Sequence, residues 1–178
     1  VNTCNILDSL AALSGVSNIS LPWVMFGHGG HDKMPSGPVP LAYAHRAQNQ
    51  TGSLLNYKCI VDPCDVRQVS THKFETHSMG NTTANMLGKV TSNKTRGARS
   101  FITNASLQLN HYYLRSRTEM AQKISGPAVS GVEQEKRQVK ILEKAALIEE
   151  NLKPDMTAKR FLQRHGVETD EDFRGVLL

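Results

Sequence analysis

The order of apolar and polar positions along the chain divides it into a strand-rich front and a helical tail. Ile19 to Phe26 is almost wholly apolar and rich in β-formers, which predicts a buried central strand. Asp8 to Ser14 before it reads as the end of a helix stopped by Gly15. The glycines of Gly27-His28-Gly29-Gly30-His31 and the prolines between Met34 and Pro40 predict a loop over 27–40. Leu41 to His45 forms a short strand or helix, Leu54 to Val61 a strand ended by Asp62-Pro63, and Val66 to Phe74 a further strand of alternating burial. Gly80 to Arg99 is polar and lacks aromatics, which predicts a surface loop. Phe101 to Tyr113 returns to strand character, with Leu107, Leu109 and His111 on one face.

Helical periods follow. Thr118 to Ile124 predicts a short helix, Gly126, Pro127 and Gly131 a loop, and Val132 to Leu152 a long helix with Val132, Val139, Leu142, Ala146 and a ragged Ile148 to Leu152 end as its apolar positions. Glu133 and Arg137 are spaced to pair along it, and Pro154 ends it. Thr157 to His165 forms the next helix with Gly166 as its C-cap, and Thr169 with Asp172 makes a capping pair for a last short turn. The pattern fits a mixed α/β body with a helical tail.

Bulk composition changes this picture little. The 178 residues suffice for one domain with a real core, and 39% apolar with 21% charged residues argues against wholesale disorder. Lys and Arg outnumber Asp and Glu by 21 to 16, a net charge of +5. The excess forms no block and has no interleaved aromatics, so nucleic acid is not an expected partner. No apolar run approaches the roughly 18 residues that span a bilayer. The first residue is Val1 rather than Met, and the chain reads as a fragment. Three cysteines, Cys4, Cys59 and Cys64, make no disulfide framework, although Cys59 and Cys64 could pair across a turn. Asn-x-Ser/Thr triplets begin at Asn18, Asn49, Asn81, Asn93 and Asn104, a pattern that matters in the secretory pathway.

The candidate chemistry sits in three stretches. The first is Pro22-Trp23-Val24-Met25-Phe26-Gly27-His28-Gly29-Gly30-His31. The second is Lys58-Cys59-Ile60-Val61-Asp62-Pro63, followed by Val69-Ser70-Thr71-His72-Lys73-Phe74. The third is Leu109-Asn110-His111-Tyr112-Tyr113-Leu114-Arg115-Ser116, followed by Lys123. In this order they resemble the C-terminal half of glycosyltransferase family 92 and its family 2-like relatives, over about residues 8–125. Departures from the family pattern are His28 and Cys59, each in place of Ser, Arg115 in place of Lys, and Ser125-Gly126 in place of Arg-Gly.

The resemblance implies the C-terminal portion of a GT-A-like, Rossmann-like domain over 1–125, with a helical extension over 126–178. It implies transfer of a sugar from a nucleotide-sugar donor to a glycan or other hydroxyl acceptor. It also implies a divalent metal, usually manganese, on an Asp-x-Asp element upstream of Val1, and a lumenal Golgi or secretory location through an upstream membrane anchor. The expected metal contacts are His111 and His72, with the donor phosphates on Arg115 and Lys123. The acceptor is expected against Trp23, Gly27 and Gly30, and His31 with Asp32 at the chemistry. Asp62, Asp65 or an upstream residue are the other choices for general base. The His-Gly-Gly run also fits an esterase oxyanion loop, but no Gly-x-Ser-x-Gly turn accompanies it. The alternative to an enzyme is a non-catalytic carbohydrate-binding or interaction module on the same scaffold.

Overall fold

The computed structural model describes residues 6–127 and 133–176; Cys4, Gly131 and Val132 lie outside them. The elements in chain order are α1 (Ile6–Ala11), β1 (Asn18–Phe26), α2 (Val39–Ala42), β2 (His45–Ala47), β3 (Tyr57–Val61), β4 (Val66–Ser70), β5 (Lys73–Thr76) and β6 (Thr82–Ala84). They continue with β7 (Val90–Ser92), β8 (Leu109–Tyr112), α3 (Arg117–Ser125), α4 (Gln134–Glu149), β9 (Leu152–Pro154), α5 (Thr157–Arg164) and α6 (Asp170–Val176). The fold is mixed α/β, and its sheet contains both parallel and antiparallel pairs.

The chain forms two compact units, residues 1–24 with 50–109 and residues 25–49 with 110–178. In the first, β1 pairs antiparallel with β3 from Asn18↔Val61 to Pro22↔Tyr57 and parallel with β6 at Ile19↔Ala84. Strand alternation gives β1 two unlike faces. Ile19 and Leu21 pack with Met86, and Leu10, Leu13, Val16 and Ile60 close around them. Asn18 and Ser20 are fully buried in a polar network instead. Asn18 Nδ2 donates to Phe74 O and Thr82 O, while Thr83 Oγ1 and Arg96 Nη1 donate to Ser20 Oγ at 2.9 and 3.1 Å.

That network overturns the surface-loop expectation for Gly80 to Arg99. The segment carries β6 and β7, paired antiparallel, and buries Thr83, Ala84, Asn85, Met86, Asn93 and Arg96. Val66 to Phe74 is not one strand either. It belongs to the β4–β5 hairpin, whose turn puts His72 at φ 58. Cys59 and Cys64 are both free. Among the sequons, Asn18 and Asn93 are buried with their amide nitrogens donating to backbone or side-chain oxygens, so neither side chain is open to a glycan. Asn49 and Asn81 are exposed.

In the second unit β2 pairs with β9, from His45↔Pro154 to Ala47↔Leu152, so the residues before Pro154 form a strand rather than a helix end. The Arg46–Asp155 ion pair, 2.8 Å and largely buried, fixes the same junction. Helix α4 buries Ile148, one of the expected apolar positions, and Ile141 seven residues before it, which lies outside the expected stripe; Val139 and Leu142, which belong to that stripe, are exposed. Glu133 pairs with Lys136 rather than Arg137. Helix α5 ends as expected on Gly166 at φ 71. Gly166 N donates to Gln163 O and Val167 N to Leu162 O, with Leu162 and Val167 buried together at the cap. Thr169 and Asp172 cap α6 reciprocally.

Candidate functional site

The glycine-rich loop and the start of α3 belong to the second unit and are tied by their backbones. An α-helix leaves its first N–H groups without partners inside the helix. Here Arg117 N donates to His31 O and Thr118 N to Asp32 O, both at 3.0 Å. Ser116 Oγ takes Glu119 N, and the Glu119 carboxylate returns to Ser116 N, a capping box that the Ser-x-x-Glu spacing encodes. The loop therefore acts as the N-cap of a helix more than eighty residues away in sequence.

Glycine is required in the loop for two reasons. Gly29 and Gly30 take positive φ, 58° and 87°. A Cβ on Gly27 would meet Glu149 Oε1 at 2.4 Å and the Leu152 methyls at 3.0 and 3.2 Å. Gly27 is thus packed under α4 and β9, which corrects its expected role as an open acceptor contact. Glu149 also explains the departure at His28. Its carboxylate accepts from His28 N at 2.9 Å and pairs with His28 Nε2 at 3.1 Å, while Gly30 N donates to His28 Nδ1. Both ring nitrogens of His28 are committed to holding the loop.

His31 is held differently. Its Nε2 lies 3.1 Å from Ala42 O, which can only accept, so the neutral ring carries its proton there and leaves Nδ1 as the basic nitrogen. Its ring stands edge-on to Tyr43 at 5.3 Å. The Asp32 carboxylate pairs with Arg117 on the surface. Tyr43, fully buried, donates through its hydroxyl to Glu119 Oε2 at 2.9 Å.

Arg115 adopts φ 54, a left-handed conformation that costs a non-glycine residue about 1–3 kcal/mol. Its neighbours Leu114 and Ser116 are buried, and the guanidinium reaches Glu119 Oε1 at 3.2 Å. Arg115, Glu119 and Tyr43 line a hollow of about 430 Å³ walled by the apolar faces of Met34, Pro35 and Pro38. Lys123, two turns along α3, donates to Tyr113 O at 2.9 Å and sits 3.3 Å from the Tyr113 ring centroid. Burial, followed by Lys144, Arg137 and Arg115, holds its ammonium down to about 8. His111, on β8, lies with its ring 5.6 Å from that of Tyr113.

The expected residues therefore separate. Gly27, Gly30, His31, Asp32, His111, Arg115 and Lys123 share the second unit, whereas Trp23 and His72 belong to the first. Trp23 is 9% exposed and meets His72 edge-on at 5.3 Å, so its ring is packed rather than offered to a sugar. Burial, then Lys58 and Arg96, lowers the His72 pKa. Among the described residues no three His, Cys, Asp or Glu side chains gather as a metal-binding group. The described residues do not make a manganese site by themselves. No described helix is long and apolar enough to cross a membrane.

Tyr43, Glu119, Glu149 and Lys144 were not legible as site residues. Only Glu119 carried a signal, as the third residue after Ser116 in a capping box. Comparison of the chain with protein-family models, with curated proteins and with solved structures finds no match.

Proposed function

We propose that the chain is the C-terminal part of a GT-A-like glycosyltransferase domain that transfers a sugar, with inversion, from a nucleotide donor to a glycan hydroxyl. One observation carries this reading beside the motif resemblance. The Gly27–Asp32 loop and the Arg115–Lys123 segment, distant in sequence, are joined in one unit by the carbonyls of His31 and Asp32.

The chemistry follows from the tautomers and charges. The acceptor hydroxyl loses its proton to His31 Nδ1 as its oxygen bonds to the anomeric carbon of the donor. The bond from that carbon to the diphosphate breaks with both electrons on the diphosphate oxygen. Lys123 and Arg115 then offset the charge developing there. His31 is a better base than Asp32, because the Asp32 carboxylate is already paired with Arg117. The hollow beside Arg115 suits an acceptor sugar, with proline and methionine surfaces for its C–H face and Glu119 for its hydroxyls. Metal ligands come, on this reading, from an upstream segment, and His111 adds at most one. Golgi or other secretory-pathway residence, lumenal side, goes with the same reading.

Calorimetry of UDP binding with and without manganese tests it on the longer protein of which this chain would be part. Manganese-dependent binding, weakened in His111→Ala, is the expected result. His31→Ala should lower kcat about 100- to 10,000-fold, the range for loss of a general base. Absence of any nucleotide binding would overturn the enzyme reading in favour of a non-catalytic carbohydrate-binding module.

A further inference from the structure

Two lysines from different helices meet at one aromatic ring. Lys123 of α3 places Nζ 3.3 Å from the Tyr113 centroid, and Lys144 of α4 places its Nζ 5.3 Å from the same point. Arg137, two turns before Lys144, adds a third cation, but its guanidinium is taken by Lys123 O at 2.7 Å and Gly126 O at 3.0 Å. It closes the end of α3 and anchors the two helices together.

Among the described residues no carboxylate pairs with either lysine. The carboxylates of the same helices are engaged elsewhere or exposed. Glu119 serves Ser116, Tyr43 and Arg115, Glu149 serves His28, and Glu133 serves Lys136. Glu135 and Glu143 are exposed. Burial lowers the pKa of both lysines, and in Lys123 the neighbouring cations lower it further. Like charges held half out of water oppose folding unless something offsets them. The Tyr113 face offsets part of this through its quadrupole. An anion carrying at least two charges would offset the rest, and ammonium groups suit phosphate as point charges.

We propose that Lys123 and Lys144 form a two-lysine clamp for a diphosphate beside Tyr113. Lys144 is then a binding residue outside every stretch that carries the family resemblance. That the diphosphate belongs to a nucleotide rests on the glycosyltransferase reading; the anion affinity rests on the lysine pair alone.

The test uses the full chain with reductively ¹³C-methylated lysines, observed by NMR, and inorganic pyrophosphate as probe. The Lys123 signal, identified by its loss in Lys123→Gln, should titrate near 8 without ligand and well above that with pyrophosphate. Lys144→Met should weaken pyrophosphate binding at least about tenfold, as expected for one charge-assisted contact. A Lys123 signal indifferent to pyrophosphate, or unchanged affinity in Lys144→Met, would overturn the clamp. Equal affinity for inorganic phosphate and pyrophosphate would overturn the diphosphate assignment. The two readings fail separately. Pyrophosphate binding in a protein that binds no nucleotide leaves the clamp standing without the enzyme. Sugar transfer with a donor KM unaffected by Lys144→Met leaves the enzyme without the clamp.

Discussion

Asn18 is fully buried on the central strand, and its amide nitrogen donates to two carbonyls, Phe74 O at 3.2 Å and Thr82 O at 2.9 Å. Those carbonyls belong to the β5 and β6 strands, so one side chain joins the hairpin to the sheet. Asn93 donates to Phe74 O as well, at 2.9 Å, and to Asn81 Oδ1. Asn18→Ala would leave a buried carbonyl without its donor, which costs about 2 kcal/mol. The urea midpoint of the variant should fall accordingly, and an unchanged midpoint would show the carbonyls to be satisfied some other way. Such residues were invisible to a reading based on apolar periodicity. Ile19 and Leu21 announced the strand, but Asn18, Thr83, Asn85, Asn93 and Arg96 form an interior that no hydrophobic pattern marks. For the same reason the triplets at Asn18 and Asn93, read from sequence as possible glycan acceptors, are structural.

At the scale of elements, the helices were the most legible part, because their ends are written in short local codes. Gly166 and the Thr169–Asp172 pair fell where their chemistry requires. Strands of three residues, β6, β7 and β9, were missed because they depend on partners remote in sequence. The site depends in the same way on α3, whose capping Glu119 also holds Tyr43 and Arg115. Burial would raise the Glu119 pKa, but hydrogen bonds from Ser116, Tyr43 and Arg115 outweigh it and hold the carboxyl below its ordinary 4.5. A depressed carboxyl stabilises the fold fully above its unfolded pKa, and that contribution is lost as pH falls through the folded value. Thermal unfolding followed between pH 6 and 3 should therefore show a loss that Glu119→Gln lacks, because the amide cannot titrate. Parallel pH profiles for the two proteins would mean that the carboxylate contributes nothing to the attachment of loop and helix.

For the whole molecule, the mixed α/β class was legible, whereas the grouping of segments into units was not. Grouping is decided by contacts such as β2 with β9 and Gly27 against Glu149, and nothing local in the sequence encodes them. The consequence concerns residues 25–49. They carry the glycine loop and β2, yet their partners come after residue 110. A chain cut after Ser125 removes β9, α4 and α5. It thereby deletes the acceptor for Gln48 N at Asn151 O, the carboxylate that pairs with Arg46 and the one that holds His28. Strands β1, β3, β6 and β7 keep every partner of the first unit in such a truncation. Hydrogen exchange on residues 1–125 should retain protection at Trp23 and Ile60, in the hydrogen-bonded pairs of the β1–β3 ladder, while losing it at Gln48 and Gly27. Protection at Gln48 and Gly27 equal to that of the full chain would show that the loop is organised without the helical segment. His31 would then owe its position to residues 25–49 and α3 alone, and the long helix would contribute to the site only through Lys144.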